Sequence, residues 1–146
     1  MKILNLARFK RKLSRLPKVA KGEIRKGLET SAEEVVDLMK RMVPVDQGKL
    51  RASIGWTWGA PPDGSFVFSK VVGDAGLAIT IYAGSNETFV DGKNVDYQNA
   101  FLQEFGTVKM RANPFFRPAW RFNRKRARSR VSRAMGKAAR KVAAGG

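Results

Sequence analysis

The stretch V-P-V-D-Q-G-K-L-R-A-S-I, residues 43–54, changes character twice within twelve positions. A helical pattern runs into Pro44, which biases the residue before it away from helical backbone angles and therefore ends the helix. In the polar turn that follows, Asp46 is placed to accept hydrogen bonds from the next backbone N–H groups, and Gly48 permits a tight approach. From Leu50 onward the chain heads into an extended segment. The stretch therefore predicts a sharp joint between a long helix and a sheet.

Apolar residues recur at helical spacing on both sides of this joint. They predict a basic helix over 3–16, a long amphipathic helix over 18–42 and a short helix over 97–105, which Gly106 can end. A final helix is predicted from Pro118 to Ala144, because proline suits the first turn of a helix. The long helix carries four acids that we expect on its outer face: Glu29, Glu33, Glu34 and Asp37.

Between the helices, segments of alternating and β-branched residues predict strands. The strands cover 53–58, 66–72 and 77–82, and the last two join through the turn Gly73–Gly76. Residues 84–96 are polar and are predicted to form a mobile surface loop. This order predicts a single α+β domain, in which an antiparallel β-meander packs against the long N-terminal helix and the C-terminal helices.

Composition narrows the class of function. The 146-residue chain contains neither cysteine nor histidine, so it lacks thiolate chemistry, the commonest general base and the commonest metal ligand. The carboxylates Glu87, Asp91 and Asp96 fit no calcium loop, and a solvated loop is the favoured interpretation. No apolar stretch is long enough to cross a membrane, and the first residues do not predict a secretory signal. We expect a protein that is not an enzyme, uses no cofactor or metal and does not enter a membrane.

Charge is the strongest compositional signal. The formal net charge is +17, with balances of +9 in residues 1–26, −5 in 27–104 and +13 in 105–146, where no acid occurs. Uncompensated cations repel one another, which favours a polyanionic partner over solvated tails. That partner is either a nucleic acid backbone, bound without sequence preference, or an acidic protein surface. The candidate contacts lie on the final helix: Arg121, Arg124, Lys125, Arg128, Arg133, Lys137 and Arg140.

Docking on an acidic protein is the preferred alternative for this helix. A stripe of small residues along it suits close packing on a protein surface. The stripe consists of Ala127, Val131, Ala134 and Ala138.

Trp56 and Trp58 are two residues apart on a predicted strand and therefore share one face. Such a pair can stack nucleic acid bases. One face of a half-buried sheet, or a contact between subunits, is the more typical use. With Phe116, these tryptophans are the candidate subunit interface.

Three segments, taken together, resemble the head–tail joining, or tail-completion, family of long-tailed bacteriophages, prophages and gene transfer agents. They are V-P-V-D-Q-G-K-L-R-A-S-I, Y-Q-N-A-F-L-Q-E-F-G-T (97–107) and A-N-P-F-F-R-P-A (112–119). Members read V-P-V-D-T-G-x-L-R-x-S-I, then Y-A-x-x-x-E-F-G-T, then P-F-[LF]-R-P-A. Each motif alone is weak, whereas all three in this order are specific. Gln47 and the pair Gln98-Asn99 depart from the pattern. The resemblance marks these matching positions as scaffold: Pro44, Asp46, Gly48, Leu50, Glu104, Phe105, Gly106, Pro114, Phe115 and Pro118.

The resemblance implies a virion structural protein that forms a ring, commonly a hexamer, on the head-proximal end of the tail tube. The ring would terminate tube polymerisation and join the tail to the head connector. Its partners would be copies of itself, the tail tube protein and the connector (stopper) protein, with DNA passing through.

Residues 1–146 would form one tail-completion domain, with a basic segment at 1–17 and a basic helix at 118–144. It would be assembled in the bacterial host cytoplasm and located at the tail–head junction. A passage for DNA works better without a strong grip, which also favours protein docking for the basic helix. The runner-up function is a small nonspecific nucleic-acid-binding protein.

Overall fold

The computed structural model describes residues 18–72 and 78–144. The predicted helix over 3–16 and the turn Gly73–Gly76 lie outside the described residues. The predicted α+β class is confirmed, with a long N-terminal helix, small antiparallel sheets and a long C-terminal helix. The helices are α1 (Lys18–Met42), α2 (Lys49–Ser53), α3 (Asn99–Phe105) and α4 (Phe116–Ala143). The strands are β1 (Gly55–Trp58), β2 (Phe66–Val72), β3 (Ala78–Ala83), β4 (Phe89–Val90) and β5 (Tyr97–Gln98), and a 3₁₀ turn spans Asn86–Thr88.

The main sheet is antiparallel and has the strand order β1-β3-β2. The sequential order of the predicted meander is therefore wrong in detail. Strand β3 takes the central position, where Ile79, Thr80 and Ile81 are buried. The connection after β1 is fixed to β3, because Gly59 N donates to Ala78 O at 2.7 Å and Thr80 Oγ1 donates to Gly59 O at 2.9 Å.

The core lies between the sheet and the two long helices, in two clusters. One cluster joins the start of α4 to the second half of α1 through Phe115, Phe116, Trp120, Val35 and Met39. The other consists of Ile24, Leu28, Ala32, Ile79 and Val131. Burial of each large apolar side chain contributes about 1.5–3 kcal/mol, so the aromatic cluster anchors α4 most firmly at its beginning.

Helices α1 and α4 pack closely and antiparallel, and the small-residue stripe makes this possible. A Cβ on Gly27 of α1 would lie 3.4 Å from Ala134 Cβ, and Ala127, Val131 and Ala138 are buried. The expectation that this stripe packs on a partner protein is wrong, because it packs on the chain's own α1.

The predictions made for the ends of the helices are confirmed at some positions and wrong at others. Gly48, with φ of 79°, precedes α2, and no side chain caps that helix, so the predicted cap by Asp46 is wrong. Tyr97 and Gln98 pair with β4 instead of starting the predicted helix, which begins at Asn99. Gly106 ends α3 as predicted, since its N–H donates to Leu102 O at 2.7 Å. Helix α4 begins two residues before Pro118.

Candidate interaction surfaces

Glu104 is a carboxylate on α3 that is buried in the protein, with 3% of the residue exposed. Its oxygens accept hydrogen bonds from the backbone N–H groups of Phe115, Phe116 and Arg117, at 2.8, 2.9 and 2.9 Å. These are the N–H groups at the start of α4 that lack partners within the helix, and the next residue, Pro118, has none. The negative charge also faces the positive end of the helix dipole. The motif at 97–107 thus caps the helix that begins in the motif at 112–119.

The motif at 43–54 is tied to the end of the sheet through Ser53. Its hydroxyl accepts a hydrogen bond from Gly84 N at 2.8 Å and donates one to Leu50 O at 2.6 Å. Leu50 itself is buried in the core. Pro44 lies half-buried at the end of α1, where Val43 N donates to Met39 O at 2.9 Å. This motif therefore acts as a joint, as the sequence predicts.

Gln98 is the residue that sequence reasoning missed. Its buried amide nitrogen donates to Gly64 O at 2.6 Å and to Ser85 O at 3.0 Å, and its oxygen accepts from the Thr88 hydroxyl. A Cβ on Gly84, where φ is 97°, would lie 2.4 Å from Gln98 Cδ. A glutamine in a polar stretch gives no sequence signal of this role. Gln98 departs from the family pattern, and it ties β5 to the loop at Gly64 and to the turn that contains Ser85 and Thr88.

Trp56 and Trp58 are half-buried on β1 and are hydrogen-bonded to α1. Trp56 Nε1 donates to Glu33, and Trp58 Nε1 donates to Glu29 at 2.8 Å. Glu33 and Asp37 are exposed as expected, whereas the expected outer-face position is wrong for Glu29 and for Glu34, which pairs with Arg130 of α4. The rings also pack on the core clusters, so their faces are largely used within the chain.

Phe116 does not fit the predicted subunit interface. It is 2% exposed and stacks between Phe68 and Trp120, with centroid separations of 5.0 and 6.4 Å. Phe116 therefore belongs to the hydrophobic core of the chain. Phe115 is fully buried beside it, whereas Phe105 is exposed under the Arg117 guanidinium, 5.3 Å from its ring centroid. Pro114 and Pro118 are half-buried on either side of this segment.

Exposed apolar side chains gather on the β4–β5 hairpin, in the segment that was predicted to be a polar loop. We call Phe89, Val90, Val95 and Tyr97 the apolar patch; each of the four is between 42% and 58% exposed. Val90 and Tyr97 are paired across the hairpin. Helix α3 follows directly in the chain and adds the exposed Phe101 and Phe105. In the sequence, the only indication of this surface is the presence of apolar residues among polar neighbours.

The cations of α4 fall into two groups. Arg130 forms a bidentate pair with Glu34, at 2.7 and 3.0 Å, and Lys137 and Lys141 lie 3.4 and 2.6 Å from Glu23. The hydrogen bond from Lys141, together with the nearby Lys137, holds the pKa of Glu23 below its ordinary value. Lys137, a predicted partner contact, is thus paired within the chain. The other predicted contacts are exposed: Arg121, Arg124, Lys125, Arg128, Arg133 and Arg140.

An open groove of about 600 Å³ runs between α1 and α4 beside these pairs. Its walls include Lys26, Arg133 and Arg140, which we call the groove cations. All three are exposed, and no carboxylate within residues 18–72 and 78–144 forms an ion pair with them. The groove is bordered by the small residues Gly27, Thr30, Ser132, Ala134 and Gly136.

The described residues also bear on metal and membrane binding. No group of three or more potential ligands among them could hold a metal ion, and Glu87, Asp91 and Asp96 are exposed in their loops. None of the described helices has both the length and the apolarity that a membrane span needs.

The described part of the chain forms a small α+β fold in which buried polar side chains connect one element to another. Residues 7–106 match the family described as "Bacteriophage HK97-gp10, putative tail-component", and the chain belongs to this family. The match covers more than half of the chain and ends before α4. No curated protein and no solved structure matches the chain. Membership of a phage tail-component family gives the virion as its location and other virion proteins as its partners.

Proposed function

We propose that this protein closes the head-proximal end of the tail tube, terminates tube polymerisation and joins the tail to the head connector. The observation that carries the proposal is the Glu104 cap. It links the motif at 97–107 to the motif at 112–119, which lies beyond the family match at 7–106. The resemblance to tail-completion proteins therefore rests on segments that form one structural unit.

The proposed working form is a homo-oligomeric ring, with six copies as the expected number and no enzymatic role. The apolar patch supports a contact between copies, because aromatic and apolar side chains are enriched in the cores of protein interfaces. Exposed apolar clusters on a small domain are typical of interaction sites. Trp56 and Trp58 are secondary candidates, through the parts of their rings that stay exposed.

Deletion of the gene from the phage or prophage that carries it tests the proposal. We expect electron microscopy of the lysate to show filled heads and separate tails, with tubes of irregular length. Expression of the intact chain from a plasmid should restore joined particles. Joined particles with tails of normal length in the deletion strain would contradict the proposed role.

The ring is tested separately on the purified chain. Light scattering during size-exclusion chromatography, alone and with purified tail tubes, measures the number of copies per particle. A ring that forms only on the tube is compatible with the proposal. A chain that stays monomeric on the tube contradicts it.

A further inference from the structure

The groove between α1 and α4 has no role in the proposed tail closure, and its charge indicates a partner. We propose that this groove binds the phosphodiester backbone of DNA without sequence preference. The inference rests on three features: which cations are neutralised, which side chains are missing from the surface, and how the groove is shaped.

Carboxylates of α1 neutralise some of the cations around the groove and leave others without an ion pair. Glu34 pairs with Arg130 and lies 3.9 Å from Arg126, and Glu23 pairs with Lys137 and Lys141. The groove cations are exposed and form no ion pair within residues 18–72 and 78–144, and residues 105–146 contain no Asp or Glu that could offset them. The surface therefore keeps a positive potential that attracts a polyanion.

The composition of the surface decides between the two classes of polyanion. A stable protein interface has an apolar core, with charges mainly at its rim. None of the large apolar side chains that are exposed in the described chain borders the groove. The small-residue stripe, which favoured a protein partner, is already packed against α1. The groove has five basic residues and one acid, Glu23, which is itself paired with Lys137 and Lys141, and it has no large apolar side chain. Such a surface fits phosphates, whose contacts are electrostatic and independent of sequence.

The groove has a shape that could accommodate a narrow, charged ligand. Gly136 leaves the backbone of α4 open on this side, since a Cβ there would meet nothing closer than an Arg140 nitrogen at 3.8 Å. Arg133 and Arg140 are seven residues apart, which is about two helical turns, so both project to the same side. Lys26 supplies the opposite wall from α1.

Fluorescence anisotropy with the purified full-length chain and a labelled DNA duplex tests the inference. The groove variant carries Lys26→Ala, Arg133→Ala and Arg140→Ala. The matched control carries Lys70→Ala, Lys93→Ala and Arg111→Ala, which remove three exposed cations that do not border the groove. Both variants lose the same charge, so a difference between them reports on the groove itself.

We expect the slope of log affinity against log salt to fall by about 2.7 in the groove variant, that is, by about 0.9 for each phosphate that the variant no longer neutralises. Between roughly 50 and 200 mM salt, this makes the affinity of the intact chain fall about 40-fold more than that of the groove variant. The control should change the slope by less than half as much. Unchanged melting temperatures establish that both variants are folded.

Equal slopes in the groove variant and the intact chain would overturn the inference, as would equal reductions of the slope in the two variants. Labelled polyglutamate provides the remaining test. If it binds as tightly as the duplex, and the groove variant weakens both equally, the partner is an acidic protein and not DNA. These measurements use no phage particles, so failure here leaves tail closure untouched, and a failure of tail closure leaves this result standing.

Discussion

The apolar patch and the groove differ in how the chain builds them. The patch is carried by strands of two residues each, held in place by side-chain hydrogen bonds from Gln98 and the Ser85 turn. The groove lies between helices of 25 and 28 residues that share a buried seam. Long helices hold charged side chains at fixed spacings. Short strands can expose apolar side chains without a large hydrophobic core beneath them. The patch is the proposed protein contact, and the groove is the proposed phosphate contact.

The largest effect is expected at Glu104, which connects α3, beside the patch, to α4, which forms one wall of the groove. Glu104→Ala would leave three buried N–H groups without an acceptor and should lower the free energy of unfolding by about 3 kcal/mol, as measured by urea denaturation. Glu104→Gln keeps one acceptor oxygen and should lower the free energy of unfolding by about half as much. A loss below about 1 kcal/mol for Glu104→Ala would mean that the cap does not hold the two regions together.

A substitution at Gly84 tests whether the packing around Gln98 holds the β4–β5 hairpin in place. Gly84→Ala combines a positive φ with a clash against Gln98 and should cost about 2 kcal/mol in the same assay. Gly22→Ala is the matched control, since a Cβ there meets nothing within 4 Å and alanine favours a helix by up to about 1 kcal/mol. If both substitutions stabilise the protein, the hairpin is not held in the conformation described.

The apolar patch itself is tested by Phe89→Ser combined with Val90→Ser. Both side chains are half-exposed, so folding should be nearly unchanged, whereas self-association should weaken at least about tenfold, which corresponds to about 1.4 kcal/mol. Sedimentation velocity over a concentration series measures this change. Phe122→Ser is the control, because Phe122 is 70% exposed on α4, away from the hairpin. Equal weakening in the control would remove the patch from the proposed interface.

The smallest effect concerns Glu23 at the groove. Its lowered pKa, caused first by the Lys141 hydrogen bond, means that the ionised carboxylate is favoured in the folded state. Its contribution to stability is therefore present above the ordinary pKa of 4.5 and is lost as the pH falls through the lowered value. Glu23→Gln should reduce the fall of the urea midpoint between neutral and acidic pH.

Asp37→Asn is the comparison for Glu23, since Asp37 is exposed and forms no ion pair within the described residues. It should leave the pH dependence nearly as in the intact chain. An equal change in both variants would show that the Lys141 pair contributes nothing specific.

Much of the fold follows from local rules in the sequence. Pro44 ends α1 and Gly106 ends α3, because each acts on its own backbone. The predictions that failed depended on partners distant in sequence. Gln98 joined a strand because β4 was available to pair with it, and Glu29 and Glu33 turned toward two tryptophans more than twenty residues away. The sequence could not show that the small-residue stripe faces α1, since helical spacing identifies a face but not what covers it.

The pairing of α1 with α4 also has a consequence for synthesis on the ribosome. Glu23 and Lys141 are 118 residues apart in sequence, and Glu34 and Arg130 are 96 apart. A nascent chain therefore exposes the part of α1 that α4 covers until α4 itself has been made, because the two helices are so far apart in sequence. For the same reason we expect a truncation after Arg117 to destabilise the whole fold, since it removes the core residues Trp120 and Val131 together with α4.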